Sequence, residues 1–307
     1  MRISRLLLAA TLAAGLSSPV FAADKLKVVA SFSVLGDLAA EVGADHVEVV
    51  TLVGPNGDAH TFEPSPQDAK RLGEAAVLVE NGLGLEHFLK RLVTASNFKG
   101  ETVIASKGVT PRLWQGDADE AEELEKTADG KAIDPHAWQD PRNGILYVGN
   151  IVAGFSAADP AHAADYKQNG DKLIAELTAI DKRFAAEFGA LPEASRRIVT
   201  SHDAFGYLGA AYGISFIAPE GLSTESDVSA AEIAKIVKQV KDENIRAIFI
   251  ENITDPRLIQ QIARESGVTV GGELFSDALS PPDGPAATYV TMFENNEKQL
   301  LAAISGS

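Results

Sequence analysis

The sequence predicts an α/β fold: two lobes of parallel-sheet βαβ units joined by one long rigid helix. Three observations carry this prediction. Short β-branched runs alternate with amphipathic helical runs, the pattern of a parallel sheet. The alternation occurs twice, in an N-terminal lobe at 23–160 and a C-terminal lobe at 192–307. Between them, residues 161–191 place Leu173, Leu177, Ile180, Phe184 and Phe188 at helical spacing. A helix of that length extends about 45 Å at 1.5 Å per residue, enough to span a small domain.

The elements follow in order. Residues 1–22 read as a secretory signal peptide: Arg2 and Arg5 precede an apolar run at 6–16, and small residues precede a cut after Ala22. The run is shorter than the roughly 20 residues that a membrane-spanning helix needs. Strands are predicted at 25–32, 46–53, 75–82 and 101–106, with helices at 34–43 and 65–75. The second helix has Ser65 as N-cap, Pro66 at its first position and Asp68 closing a capping box. Asp140-Pro141 starts a further helix. The second lobe repeats the style, with strands at 196–202, 214–220, 245–252 and 268–274. Its helices fall at 203–213, 228–244, 256–267 and 286–304, the second capped by Ser229 and Glu232.

Composition narrows the chemistry. The formal charge is −16 and becomes −18 once Arg2 and Arg5 leave with the signal. Such a surface repels nucleic acid and anionic lipid. Cysteine is absent, which removes thiolate zinc sites, iron–sulfur clusters, Cys nucleophiles and a lipid-linked N-terminus. Any metal site must use His, Asp, Glu or carbonyl oxygen. Residues 116–130 are strongly acidic, lack an apolar stripe and read as a mobile surface loop. The chain is expected in the periplasm, as a monomer without a lipid anchor.

Ligands of open α/β sheets bind outside the carboxyl ends of the strands. Four ionisable residues lie on such turns: His60 in "GPNGDAHTFEPSP", His136 in "DPHAWQDP", His202 in "VTSHDAFGY" and Asp277 in "ELFSDALSPP". They are separated by 76, 66 and 75 residues, too far apart for a local zinc finger or an H-E-x-x-H site, and two fall in each lobe. That is the spacing of a site closed between lobes. Three imidazoles and one carboxylate complete a tetrahedral zinc shell, and a closed shell suits carriage rather than catalysis. Spacing alone leaves a loop or helix-cap role open for each histidine. His46 and His162 read as surface residues, and His87 as the polar edge of a helix.

The segments "GPNGDAHTFEPSPQDAKRL", "NGLGLEHFLKRL", "DPHAWQDPRNGILYVGNI", "HDAFGYLGAAYGI", "ENITDPRLIQQIARESG" and "GGELFSDALS" occur in order across the mature chain. Through them the chain resembles the metal-binding class of ABC-transporter periplasmic solute-binding proteins, the zinc and manganese receptors. The resemblance implies two α/β lobes, a rigid connecting helix and one metal in the interlobe cleft. It implies His60, His136, His202 and Asp277 as ligands, and an ABC permease in the inner membrane as partner. Receptors for manganese or iron tend to carry Glu where this chain has His202, so Zn2+ is expected as the transported ligand and Mn2+ is the weaker expectation. The alternative is a manganese or iron receptor of the same family. Many zinc receptors have a His-rich loop, whereas residues 116–130 contain no His. That loop is expected to concentrate cations weakly or to touch a periplasmic metal-delivery protein. A secreted metallohydrolase is a remoter reading, since G-x-S-x-G and H-E-x-x-H are absent. The chain is not expected to be an enzyme.

Overall fold

The computed structural model describes residues 25–114, 125–224 and 228–305. The signal-peptide reading at 1–22 lies outside the described residues, as does most of the acidic run at 116–130.

The first sheet contains β1 (Leu26–Phe32), β2 (Val47–Val53), β3 (Val77–Glu80) and β4 (Glu101–Ile104) in the order β2-β1-β3-β4. All its pairs are parallel, with Val28 of β1 opposite Val49 on one side and Val77 on the other. Residues 28–32 of β1 are buried continuously, as a parallel strand covered on both faces should be. Around it pack α1 (Ser33–Gly43), α2 (Pro66–Gly73), α3 (Leu89–Ser96) and α4 (Pro141–Ala158). Ser65 and Asp68 form the expected capping box on α2. Asp140 caps α4 through Arg142 N–H, with Pro141 at the first helical position.

A helix of 28 residues, α5 (Ala163–Ala190), leads from the first lobe to the second. All five apolar residues singled out by spacing are buried along it. Gly170 does not interrupt the helix. It lets α4 approach, because a Cβ there would stand 2.4 Å from a Val152 methyl.

The second sheet repeats the first arrangement: β5 (Arg197–Val199), β6 (Ser215–Ile217), β7 (Ala247–Glu251) and β8 (Val270–Leu274), ordered β6-β5-β7-β8 and all parallel. α6 (Gly206–Tyr212), α7 (Ala230–Asp242), α8 (Pro256–Ser266) and α9 (Tyr289–Ser305) complete this lobe. The predicted box of Ser229 and Glu232 caps α7. One apolar cluster, including Ile236, Val240, Ile248, Ile259 and Ile262, lies among α7, α8 and this sheet. A larger one runs from β1 through α5 to α6 and α9. There Phe184 of α5 meets Phe188, Tyr212 and Phe293 with ring centroids 5.3–5.8 Å apart.

Three local expectations change. His87 lies in an exposed turn before α3, not on a helix. Residues 125–130 are not an unstructured loop: Lys126 bridges Ala132 in antiparallel fashion, and Thr127 closes a turn on Lys131. His46 and His162 are not independent surface residues. Their rings stack at 3.9 Å, each beside an aspartate, because the turns before β2 and α5 meet. No helix among the described residues is long and apolar enough to cross a membrane.

Candidate metal centre

Each of the four residues singled out by the sequence sits on a turn beyond the carboxyl end of a strand. His60 follows β2, in a loop where Asn56 takes a left-handed conformation (φ 54°) that asparagine tolerates. The Asp58 carboxylate accepts from the His60 backbone N–H at 2.8 Å and fixes the ring's approach. His136 follows the chain's return from β4 and immediately precedes a short 3-10 turn, Ala137–Gln139. His202 follows β5, where the strand order of the second sheet reverses, the usual ligand position in such sheets. Asp277 lies three residues beyond β8.

The fold brings all four together. Their ligating atoms lie within 4.8 Å of one another, and all four residues are buried. Asp277 Oδ2 stands 3.1 Å from His60 Nε2, 3.2 Å from His202 Nε2 and 3.6 Å from His136 Nε2. His60 and His136 present their Nε2 atoms to each other at 3.3 Å. Three Nε2 atoms and one carboxylate oxygen therefore converge on a single point, the donor set of a compact site for a divalent transition metal.

Two carboxylates that sequence reasoning missed stand behind the imidazoles. Asp134 Oδ1 is 2.9 Å from His136 Nδ1 and also accepts from the His136 backbone N–H. Its other oxygen accepts from Arg112 at 3.1 Å. Glu251, at the end of β7, accepts from the His202 N–H at 2.9 Å. Its second oxygen lies 2.7 Å from His202 Nδ1, although the contact is off-line for a hydrogen bond. Such partners fix the tautomer and orientation of a ligating ring. Glu251 met the strand-end criterion used on the sequence. Asp134 had a weaker signal, as the acid two residues before His136. Gly206 makes room for this arrangement, since a Cβ there would lie 2.6 Å from Asp134 Oδ2.

The charges divide the imidazoles. Burial pushes His60 below the ordinary histidine range, despite the neighbouring Asp277. Burial would also lower His136, but the charge of Asp277 and the bond to Asp134 outweigh it and hold the ring at about 9. Against the same burial, Glu251 and Asp277 hold His202 well above its usual value. Burial alone would raise Asp277, yet the charges of His136 and His202 keep it well below the carboxylate range. The four groups titrate as one set, and an arriving cation displaces protons from it.

Asn81, at the end of β3, was quoted within a motif but given no role. Its side-chain amide donates to Pro135 O at 3.0 Å and to Gly82 O at 2.8 Å, and its carbonyl accepts from Tyr147 at 2.5 Å. It thereby ties the first sheet to the residue before His136.

The profile of the family described as "ZnuA: Zinc-uptake complex component A periplasmic" matches residues 28–303. The manganese-binding lipoprotein MntA of Bacillus subtilis (strain 168) is 32% identical over 286 residues, covering 92% of this chain and 90% of its own. The iron ABC transporter substrate-binding lipoprotein MtsA of Streptococcus pyogenes serotype M1 is 29% identical over 288 residues, with 92% and 90% covered. The structure of the periplasmic zinc-binding protein TroA from Treponema pallidum superimposes with a TM-score of 0.82 at 26% identity, covering 92% of this chain and 99% of that one. These relatives correct one expectation. MntA and MtsA are named as lipoproteins, which overturns the reading of a receptor without a lipid anchor. That reading rested only on the missing cysteine and on no property of the fold or the site.

Proposed function

The chain belongs to the ZnuA family of periplasmic metal-binding substrate-binding proteins of ABC transporters, and from that premise we propose that it captures one divalent transition-metal ion with His60, His136, His202 and Asp277 and delivers it to its permease. The observation that carries this reading is the convergence of four buried donors within 4.8 Å. With side-chain exposures of 0–1%, the position is closed to solvent, so loops must part for an ion to enter or leave. Burial of the donors suits carriage, and no catalytic role is assigned.

For the identity of the cargo we favour manganese or iron, the metals in the names of the relatives MntA and MtsA. Zinc is the second reading, favoured by the donor set itself: three imidazoles with one carboxylate suit zinc. Two narrower readings accompany the proposal, namely action as a monomer and contact of residues 116–130 with a metal-delivery protein.

Affinity alone does not separate the metals, because Zn2+ outbinds Mn2+ and Fe2+ at most nitrogen–oxygen sites. The test is uptake of radiolabelled manganese, iron and zinc by cells carrying the wild-type chain, no chain, or the His202→Ala and Asp277→Ala variants. The proposal expects manganese or iron uptake to fall without the chain and to stay low with either variant. Loss of zinc uptake alone would establish the second reading. Wild-type uptake in both variants would remove the proposed site.

A further inference from the structure

Asp277 belongs by sequence to the second lobe, yet its turn is fastened from the first. The carbonyl of Ser276, the residue just before Asp277, receives two donors from across the cleft. Trp138 Nε1 donates at 3.0 Å, and Gln139 Nε2 donates to the same oxygen. Both donors lie on the short turn that follows His136, and the His136 and Trp138 ring centroids are 5.2 Å apart. Beyond Asp277, the backbone N–H of Leu279 donates to Ser33 Oγ at 2.9 Å, and Leu279 O accepts from Asn56 N–H at 3.0 Å. The second lobe holds the same turn farther out, through Asn296 at Phe275 and Asn252 at Ala278.

Gln139 has no other evident duty. It is fully buried, its Oε1 has no partner among the described residues, and its amide reaches only Ser276 O. Burying an amide that is only half satisfied costs stability. A well-packed apolar side chain would serve the core better.

We propose that Gln139, assisted by Trp138, is a positioning residue for metal binding: from the turn that carries His136 it holds Ser276 O, and so sets Asp277 against the imidazoles of the first lobe. His60, His136 and Asp277 are then pre-assembled on one side, while His202, held by Glu251 of its own lobe, closes from the other. This inference rests on the ligand assignment proposed above.

The test is a double-mutant cycle of Gln139→Met with Asp277→Asn, reading the affinity of metal-stripped protein for Mn2+ and, separately, for Zn2+ by competition with a chromogenic chelator. Metal-free melting curves confirm that each variant folds. Gln139→Met keeps the side-chain length and deletes the donor. In the wild-type background it should weaken binding about ten- to hundredfold, the usual effect of losing an outer-shell partner. In the Asp277→Asn background the loss should shrink to about threefold or less, because the residue acts through Asp277. An equal loss in both backgrounds would show a general packing role and overturn the proposal, as would no loss in either. If Asp277→Asn itself leaves affinity unchanged, the ligand assignment fails, and the positioning role with it. Should Gln139→Met not fold, Trp138→Phe deletes the second donor to the same carbonyl and enters the same cycle.

Discussion

Replacing Asn81 with Ala removes three hydrogen bonds at once. The amide leaves Pro135 O and Gly82 O, and the hydroxyl of Tyr147 loses its acceptor. Gly82 O keeps the backbone N–H of Leu85. Pro135 O likewise keeps the backbone N–H of Ala137, but the buried Tyr147 hydroxyl has no such substitute. An orphaned buried polar group costs about 1–3 kcal/mol, so Asn81→Ala should destabilise the fold by about 1–3 kcal/mol. At roughly 2 °C per kcal/mol for a chain of this size, the melting temperature should fall by about 2–6 °C. The assay is chemical denaturation of metal-free protein, run as a cycle with Tyr147→Phe. That second change alone orphans the Asn81 carbonyl and should cost about 1–3 kcal/mol. The double variant has no orphaned hydroxyl, so its cost should undershoot the sum by about 0.5–3 kcal/mol. Additivity of the two changes, or a cost below about 1 kcal/mol for Asn81→Ala, would refute the view that this network is fully satisfied and braces the turn before His136.

Other outcomes follow from the same physical terms. Burial raises the Glu86 carboxyl to about 7, against the opposing bonds from Ser31 and Asn81. Between the ordinary value of 4.5 and about 7 the folded chain keeps a proton that the unfolded chain has lost. The contribution of Glu86 to stability therefore falls as pH rises through that window, at up to roughly 1.4 kcal/mol per pH unit, and levels off above it. Denaturation midpoints of Glu86→Gln relative to wild type should accordingly rise between pH 5 and pH 8, and a pH-independent difference would contradict the assignment. Phe184→Ala empties the contact of α5 with Tyr212 and Phe293. It should cost about 3–5 kcal/mol in metal-free denaturation, and a cost below about 1 kcal/mol would mean that the helix is not braced there.

The legible part of this protein was local or periodic. Alternating β-branched and amphipathic runs announced two parallel sheets, and all eight strands among the described residues fall inside the predicted segments. Ser65 with Asp68 and Ser229 with Glu232 marked helix starts, because a capping box needs only four consecutive residues. His60, His136, His202 and Asp277 could be picked out as strand-end groups, since the parallel-sheet rule places functional residues there whatever the tertiary detail. Their convergence was not visible in the residues alone. It depends on how two lobes pack about α5, which brings proposed ligands as many as 217 positions apart into contact.

Two supporting groups were hidden for the same reason. Glu251 becomes an imidazole partner, and Gln139 a donor to Ser276, only once distant turns are juxtaposed, whereas Asp134 stands two residues from His136 and is aimed at its ring by the local turn. The stacking of His46 on His162 was equally invisible, because each lies in an unremarkable turn. Sequence by itself determined the elements, their parallel sense and the chemical types available for a cation. Only the tertiary structure decided which groups meet and which turns hold them. Propensities and caps act within a few residues, whereas a buried polar cluster is defined by partners that the chain supplies from both of its halves.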